Sequence, residues 1–315
     1  SLYPEWQLNN YVAIKNNEVL TFEDIGGKAL TLNKNEENKY TGSDFLSFIK
    51  IDVDNLGNIF TDGFRFKNGN EYINNISISR YVSLSRALNL FFNLVIKEKL
   101  KKDYKDFYTV LSGGDDVFII APWNKTIDFI EDLNNDFKRF VCNNTDIHFS
   151  TGVEVNKHNV PINKSSVIAE HNLDEAKHSG RNKIKFLSST AYDYTELLNI
   201  HREVKWLIEK IKEEDTKYST GFIYRLLHYI RMATEYKGNE KDNIANLSYI
   251  SQFRYDVSRN IIIEKDGKII NKEEVDELIR KFDDYSEHKP EIFETIIKIA
   301  LYETRARIKG DKDGD

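Results

Sequence analysis

Residues 107–122 read FYTVLSGGDDVFIIAP, two apolar runs joined by GGD. Both runs have the β-branched and aromatic content of strands. A link that short leaves them one arrangement, an antiparallel hairpin, and its tip carries two adjacent aspartates. The hairpin has two readings. In one, the glycines supply positive φ and the aspartates are ordinary turn residues. In the other, the carboxylates hold a divalent cation. The second reading needs a partner carboxylate, because Mg²⁺ takes one or two carboxylates plus substrate phosphates.

The elements flanking the hairpin predict the fold. DFLSFIKIDV (44–53) is a largely apolar strand, buried on both faces. In 78–100, Leu84, Leu88, Phe91 and Val95 recur at helical spacing. In 125–140, Ile130, Leu133, Phe137 and Phe140 mark another helical face, and IHFSTGVEV (147–155) alternates like a strand. NKSSVIAEHNLDEAKHSG reads as a helix closed at Gly180, and RNKIKFL as a last strand. The order β-α-β-β-α-β, with one extra helix and strand, predicts an α+β ferredoxin-like sheet. Residues 44–190 form that domain. Residues 1–43, polar and turn-rich, read as the tail of a preceding region. Residues 191–315 are mostly helical, with a small hairpin at 261–270 turning on Asp266-Gly267.

Composition narrows the function classes. Across 315 residues the formal charge is -6, so nucleic acid can be held only by local basic patches. The single cysteine, Cys142, excludes disulfide frameworks and CxxC zinc sites within this chain. No apolar run approaches the roughly 18 residues of a membrane span, and a cytoplasmic protein is expected.

Asp52 ends the strand in IDVDNLG, and in a βαββ arrangement that strand end meets the hairpin tip. Asp52, Asp115 and Asp116 are therefore expected to converge. A carboxylate on an apolar central strand is costly unless paired or metal-bound; the competing role for Asp52 is an N-cap. Asp54 is expected to cap or brace the following turn, outside the metal ligands. The backbone N–H groups of Asn55, Leu56 and Gly57 are candidate phosphate donors. Lys177 and Arg181 are candidates for phosphate oxygens, against the alternative of a solvated helix end favoured by the macrodipole.

IDVDNLG, SGGDD and DEAKHSGRNKI, in this order and spacing, resemble the GGDEF/cyclase palm. The DVDNLG form, the SRYVSLSRALNLFF helix, APW after the hairpin and the helical C-terminal region resemble the second palm of the Cas-ten family, the Csm-type large subunit of type III-A CRISPR effector complexes. The similarity spans about residues 44–308. Asp116 stands where diguanylate cyclases carry Glu, Val117-Phe118 where they carry Phe, and DNLGN replaces their Phe-Lys phosphate loop. No histidine is followed by Asp, as the family's HD nuclease would need, so the chain is expected to be the C-terminal half.

The resemblance implies nucleotidyl transfer. Within the assembled complex, target-RNA binding activates conversion of ATP to cyclic oligoadenylates. Two Mg²⁺ or Mn²⁺ ions would sit on Asp52, Asp115, Asp116 and the Val53 carbonyl. Gly113 and Gly114 would let ATP approach, Lys177 and Arg181 would take its triphosphate, and Ser85 would touch adenine or be an ordinary helix serine. Expected partners are the RAMP and small Csm subunits and, indirectly, guide and target RNA. The chain alone is expected to be inactive without the first palm. The rival readings are a diguanylate-cyclase-like enzyme and a non-catalytic palm scaffold.

Overall fold

The computed structural model describes residues 11–32, 39–69, 71–213, 217–238, 248–265 and 267–308. The chain divides into two compact units: residues 1–30 with 44–185, and residues 31–43 with 186–315.

The first unit is built on β1 (Phe45–Val53), β2 (Tyr108–Gly113), β3 (Asp116–Pro122), β4 (Phe149–Lys157) and β5 (Lys183–Lys185), in the order β5-β4-β1-β3-β2. The first four are antiparallel in the ferredoxin-like order, and β5 joins β4 in parallel. Leu46 and Phe48 of β1 and Phe118 and Ile120 of β3 point to one face. There they pack with Ile25 of α1 (Phe22–Gly27) and Ala169 of α2 (Ile162–His178). Ile49, Ile51 and Val53 alternate to the opposite face and are all buried. Burial on both faces explains why β1 reads as a nearly unbroken apolar run.

Three details depart from the sequence pattern. Within the stretch read as a polar, turn-rich tail, Phe22–Gly27 form a helix started by a capping box in which Thr21 and Asp24 bond reciprocally. In the long helix after β1, Ile78–Leu90 and Ile96–Lys102 flank a π-turn at Phe91–Val95. The π-turn inserts one residue into the helical count. The buried face therefore continues through Phe92 and Ile96, while Val95 turns outward at 36% exposure. In the helix Thr126–Phe140, Ile130, Leu133 and Phe137 are buried as expected, but Phe140 at the last turn is exposed.

The second unit carries helices Leu197–Lys212, Thr220–Gly238, Ser248–Asn260, Lys272–His288 and Pro290–Thr304. The last is its core element: Ile292, Phe293, Ile296, Ile297 and Ala300 have no exposed surface. A small sheet orders Ala306–Ile308, Lys39–Thr41 and Thr31–Leu32. Glu264–Lys265 pairs with Lys268–Ile269; of the expected turn, Gly267 has φ +74° and Asp266 lies outside the described residues.

Candidate active site

The sheet order brings the end of β1, the β2–β3 tip and the end of α2 to one edge. Asp52 pairs directly across the ladder with Asp116, and Gly113 with Asp116. The tip is a two-residue loop, Gly114-Asp115. Gly114 has φ +67°, the mark of a turn that favours glycine at its first position. Like charges directly opposed across strands are destabilising, so the pair calls for a cation. Lys177 of α2 supplies one, forming an ion pair with the Asp52 carboxylate. One step down the ladder, Lys50 faces Phe118, with its ammonium 5.3 Å from the ring centroid, and bonds Glu170 of α2 at 2.5 Å.

Burial is the main force raising the Asp52 carboxyl above the ordinary carboxylate range; Asp115 and Asp116 add to it and Lys177 opposes it. Asp116 is solvent-exposed, yet the surrounding protein removes part of its hydration, which chiefly raises it. Glu170 and Asp115 push the same way, and Lys50 and Lys177 push back. The donor set is hard oxygen, which suits Mg²⁺ or Mn²⁺. The three aspartates are not gathered into a ready cage: among the described residues, no group of three or more His, Cys, Asp or Glu stands placed to hold a metal ion. Such a site fits an ion that completes its shell with substrate phosphates better than a resident structural metal.

The remaining expected residues fall around this edge. Val53 is buried and pairs with Phe149. Asn55 is left-handed (φ 54°, ψ 28°) and opens the helix Leu56–Asp62 with no side-chain cap. The N-cap is thus Asn55, not Asp52. A Cβ placed on Gly57 or Gly113 would meet nothing within 4 Å, so internal packing does not require glycine there. α2 ends in a Schellman motif: Gly180 N–H donates to the Lys177 carbonyl (3.4 Å) and Arg181 N–H to the Ala176 carbonyl (3.3 Å). That cap sets Lys177 in the last turn and leaves Arg181 exposed just beyond it.

A family model, Cas10/Cmr2 second palm domain, matches residues 45–185. Over this span the chain is similar to that palm domain. The curated relatives include the Cas10/Csm1 single-strand-specific deoxyribonucleases, subtype III-A, of Methanocaldococcus jannaschii and Streptococcus thermophilus. The first is 32% identical over 170 residues, covering 50% of this chain and 19% of that protein. The second is 28% identical over 227 residues, covering 70% and 28%. Among solved structures, a Csm1–Csm4 cassette in complex with cA4 has a TM-score of 0.65 at 18% identity, covering 94% of this chain and 40% of that one. The same cassette in complex with pppApApA has a TM-score of 0.64 at 19% identity, covering 94% and 41%. The chain thus spans less than a third of these curated relatives, and these structures share its fold.

The family resemblance drawn from the three motifs is borne out. What sequence reasoning missed in this palm is how the GGDD tip is held. The Gly114 N–H donates to the side-chain carbonyl of Asn89 at 3.4 Å, and Asn93 also donates to Asn89. Ser112 donates to the Phe92 carbonyl, inside the π-turn, at 2.7 Å. Ser85 is exposed one turn before Asn89, on the same side of the helix. The paired Asn89 and Asn93, four residues apart, were the available signal; the π-turn has no sequence signature.

Proposed function

We propose that this palm binds ATP with divalent cations, Mg²⁺ or Mn²⁺, and serves as one of two nucleotide sites of a cyclic oligoadenylate synthase. The observation that carries the reading is the Asp52–Asp116 pair, opposed across the ends of two central strands and neutralised on one side by Lys177. Asp52, Asp115, Asp116 and the Val53 carbonyl are the residues that would hold the metal. When bound, divalent ions supply acidity to a ribose 3′-hydroxyl and neutralise charge developing on phosphate. Lys177 leaves Asp52 for the triphosphate as nucleotide arrives, and Arg181 takes further phosphate oxygens with its fork. Gly113, Gly114 and the Asn55–Leu56–Gly57 turn leave backbone room at the phosphates, and Ser85 faces the base. The 3′-hydroxyl of one ATP loses its proton to solvent as its oxygen attacks the α-phosphorus of another; the bond to pyrophosphate breaks and pyrophosphate leaves.

The solved relatives support an adenine nucleotide over GTP, since their ligands are AMPPNP, pppApApA and cA4. They support a Csm4-type RAMP subunit as a neighbour; the small subunit and the guide and target RNA complete the proposed assembly, in the cytoplasm. No described helix is long and apolar enough to cross a membrane.

The test is calorimetric titration of ATP with Mn²⁺ into the chain and into its Asp115→Ala/Asp116→Ala variant. The variant is expected to stay folded and lose metal-dependent binding. Unchanged ATP affinity would remove the site assignment.

A further inference from the structure

Asp54 is a buried carboxylate hydrogen-bonded at both oxygens, and no part of the proposed chemistry uses it. Its side chain has no exposed surface. Ser150 Oγ donates to both its oxygens, at 2.8 and 2.9 Å. His148 Nδ1 lies 2.6 Å from Oδ2, and the backbone N–H of Asn182 donates to the same oxygen at 3.0 Å. Its own N–H donates to the His148 carbonyl at 2.9 Å. These bonds join segments 94 to 128 residues apart in sequence. They run from the IDVDNLG turn to the start of β4 and to the loop after α2. The carboxylate does not cap the turn that follows it, since its described partners all lie elsewhere.

The Asn182 bond closes a demanding stretch of backbone. Arg181 and Asn182 are both left-handed, at φ 64° and 51°, a conformation non-glycine residues hold only where surroundings enforce it. The Schellman bond from Arg181 N–H anchors the loop on one side. The Asp54 carboxylate anchors it on the other, through a charge-assisted bond to the next residue. Arg181 is exposed, yet both of its neighbouring peptide groups are fixed. A cation preset in this way loses less freedom on binding a ligand than one on a loose loop.

We infer that Asp54 is a positioning residue: it latches the loop after α2 to the end of β1 and so presets Arg181 for a triphosphate. The inference rests on the ATP reading for its ligand, but the latch can be tested without one. In Asp54→Asn, which keeps the shape and removes the charge, exchange of the Asn182 amide should rise about tenfold or more, the equivalent of one lost charged hydrogen bond. The amides of Ile49 and Ile51 in β1 should not change. An unchanged Asn182 amide overturns the latch, as does equal acceleration in β1, which would make Asp54 a general stabiliser. For the ligand arm, Arg181→Ala should weaken ATP about tenfold in the native background and only about twofold in Asp54→Asn. AMP, which lacks the β- and γ-phosphates, should bind both backgrounds within about twofold. Equal cost of Arg181→Ala in both backgrounds overturns the presetting. If the native chain binds no ATP, the proposed function fails and the exchange arm still decides the latch. If Asp54→Asn does not fold, Ser150→Ala, which removes one donor, takes its place and is held to the same outcomes at smaller amplitude.

Discussion

Carboxylates at three places in this chain meet burial in three ways. Asp54 is buried and ringed by donors, while Asp52 and Asp116, opposed across the ladder, each lose water, which chiefly raises both. Glu294, in the second unit, is 1% exposed. Burial pushes its carboxyl up, but Lys298 at 2.8 Å and the Ser189 N–H and hydroxyl outweigh it, so the net shift is downward. A carboxylate held low in the folded state contributes stability above the ordinary carboxylate range, and that stability is lost as pH falls through its folded value. Glu294→Gln is therefore expected to cost about 1.5–3 kcal/mol at pH 7 in urea denaturation, the worth of charged hydrogen bonds. The gap between variant and native chain should close as the pH falls below about 4; a gap independent of pH would mean that charge is not what Glu294 contributes. At this scale the sequence was legible where topology alone decides: Asp52, Asp115, Asp116 and Lys177 follow from strand order and helix direction. Asn89, Lys50 and Glu170 were not, because their importance depends on which way each side faces.

Helix α2 shows what an element adds. It carries Lys177 and Glu170, one facing Asp52 and the other Lys50, so its height above the sheet sets the electrostatics of the site. That height is fixed by Gly152 of β4. A Cβ there would lie 2.1 Å from the Leu173 nitrogen and 2.4 Å from the Ala169 carbonyl oxygen, both backbone atoms of α2. Gly152→Ala is expected to destabilise the protein by about 2–3 kcal/mol, as overpacked cores do, and to weaken ATP binding by shifting Lys177. Chemical denaturation and ATP titration on one sample check both, and full native stability would show that α2 can lift without loss. Element order and most boundaries were readable from periodicity. The π-turn was not, since a one-residue insertion leaves the same apolar residues and only moves Val95 out and Phe92 in. The capping box at Thr21 is legible in the sequence as TFED, residues 21–24.

At the scale of the whole molecule, the chain carries one SGGDD hairpin, which on the proposed reading provides one nucleotide site. Joining two ATP molecules needs a second, and holding two reactants in line can contribute about 7–11 kcal/mol. The chain alone is therefore expected to bind labelled ATP with Mn²⁺ and yield little or no cyclic product; robust product independent of protein concentration would show that one palm suffices. A narrower proposal is tested more directly: metal and triphosphate meet at the strand ends bearing Asp52, Asp116 and Lys177. Anomalous scattering from crystals grown with Mn²⁺ and a non-hydrolysable ATP analogue locates the ion without interpretation of chemistry. A manganese peak is expected between the Asp52 and Asp116 carboxylates, with the triphosphate against Lys177 and Arg181. Manganese and nucleotide bound elsewhere, with Lys177 still paired to Asp52, would contradict it.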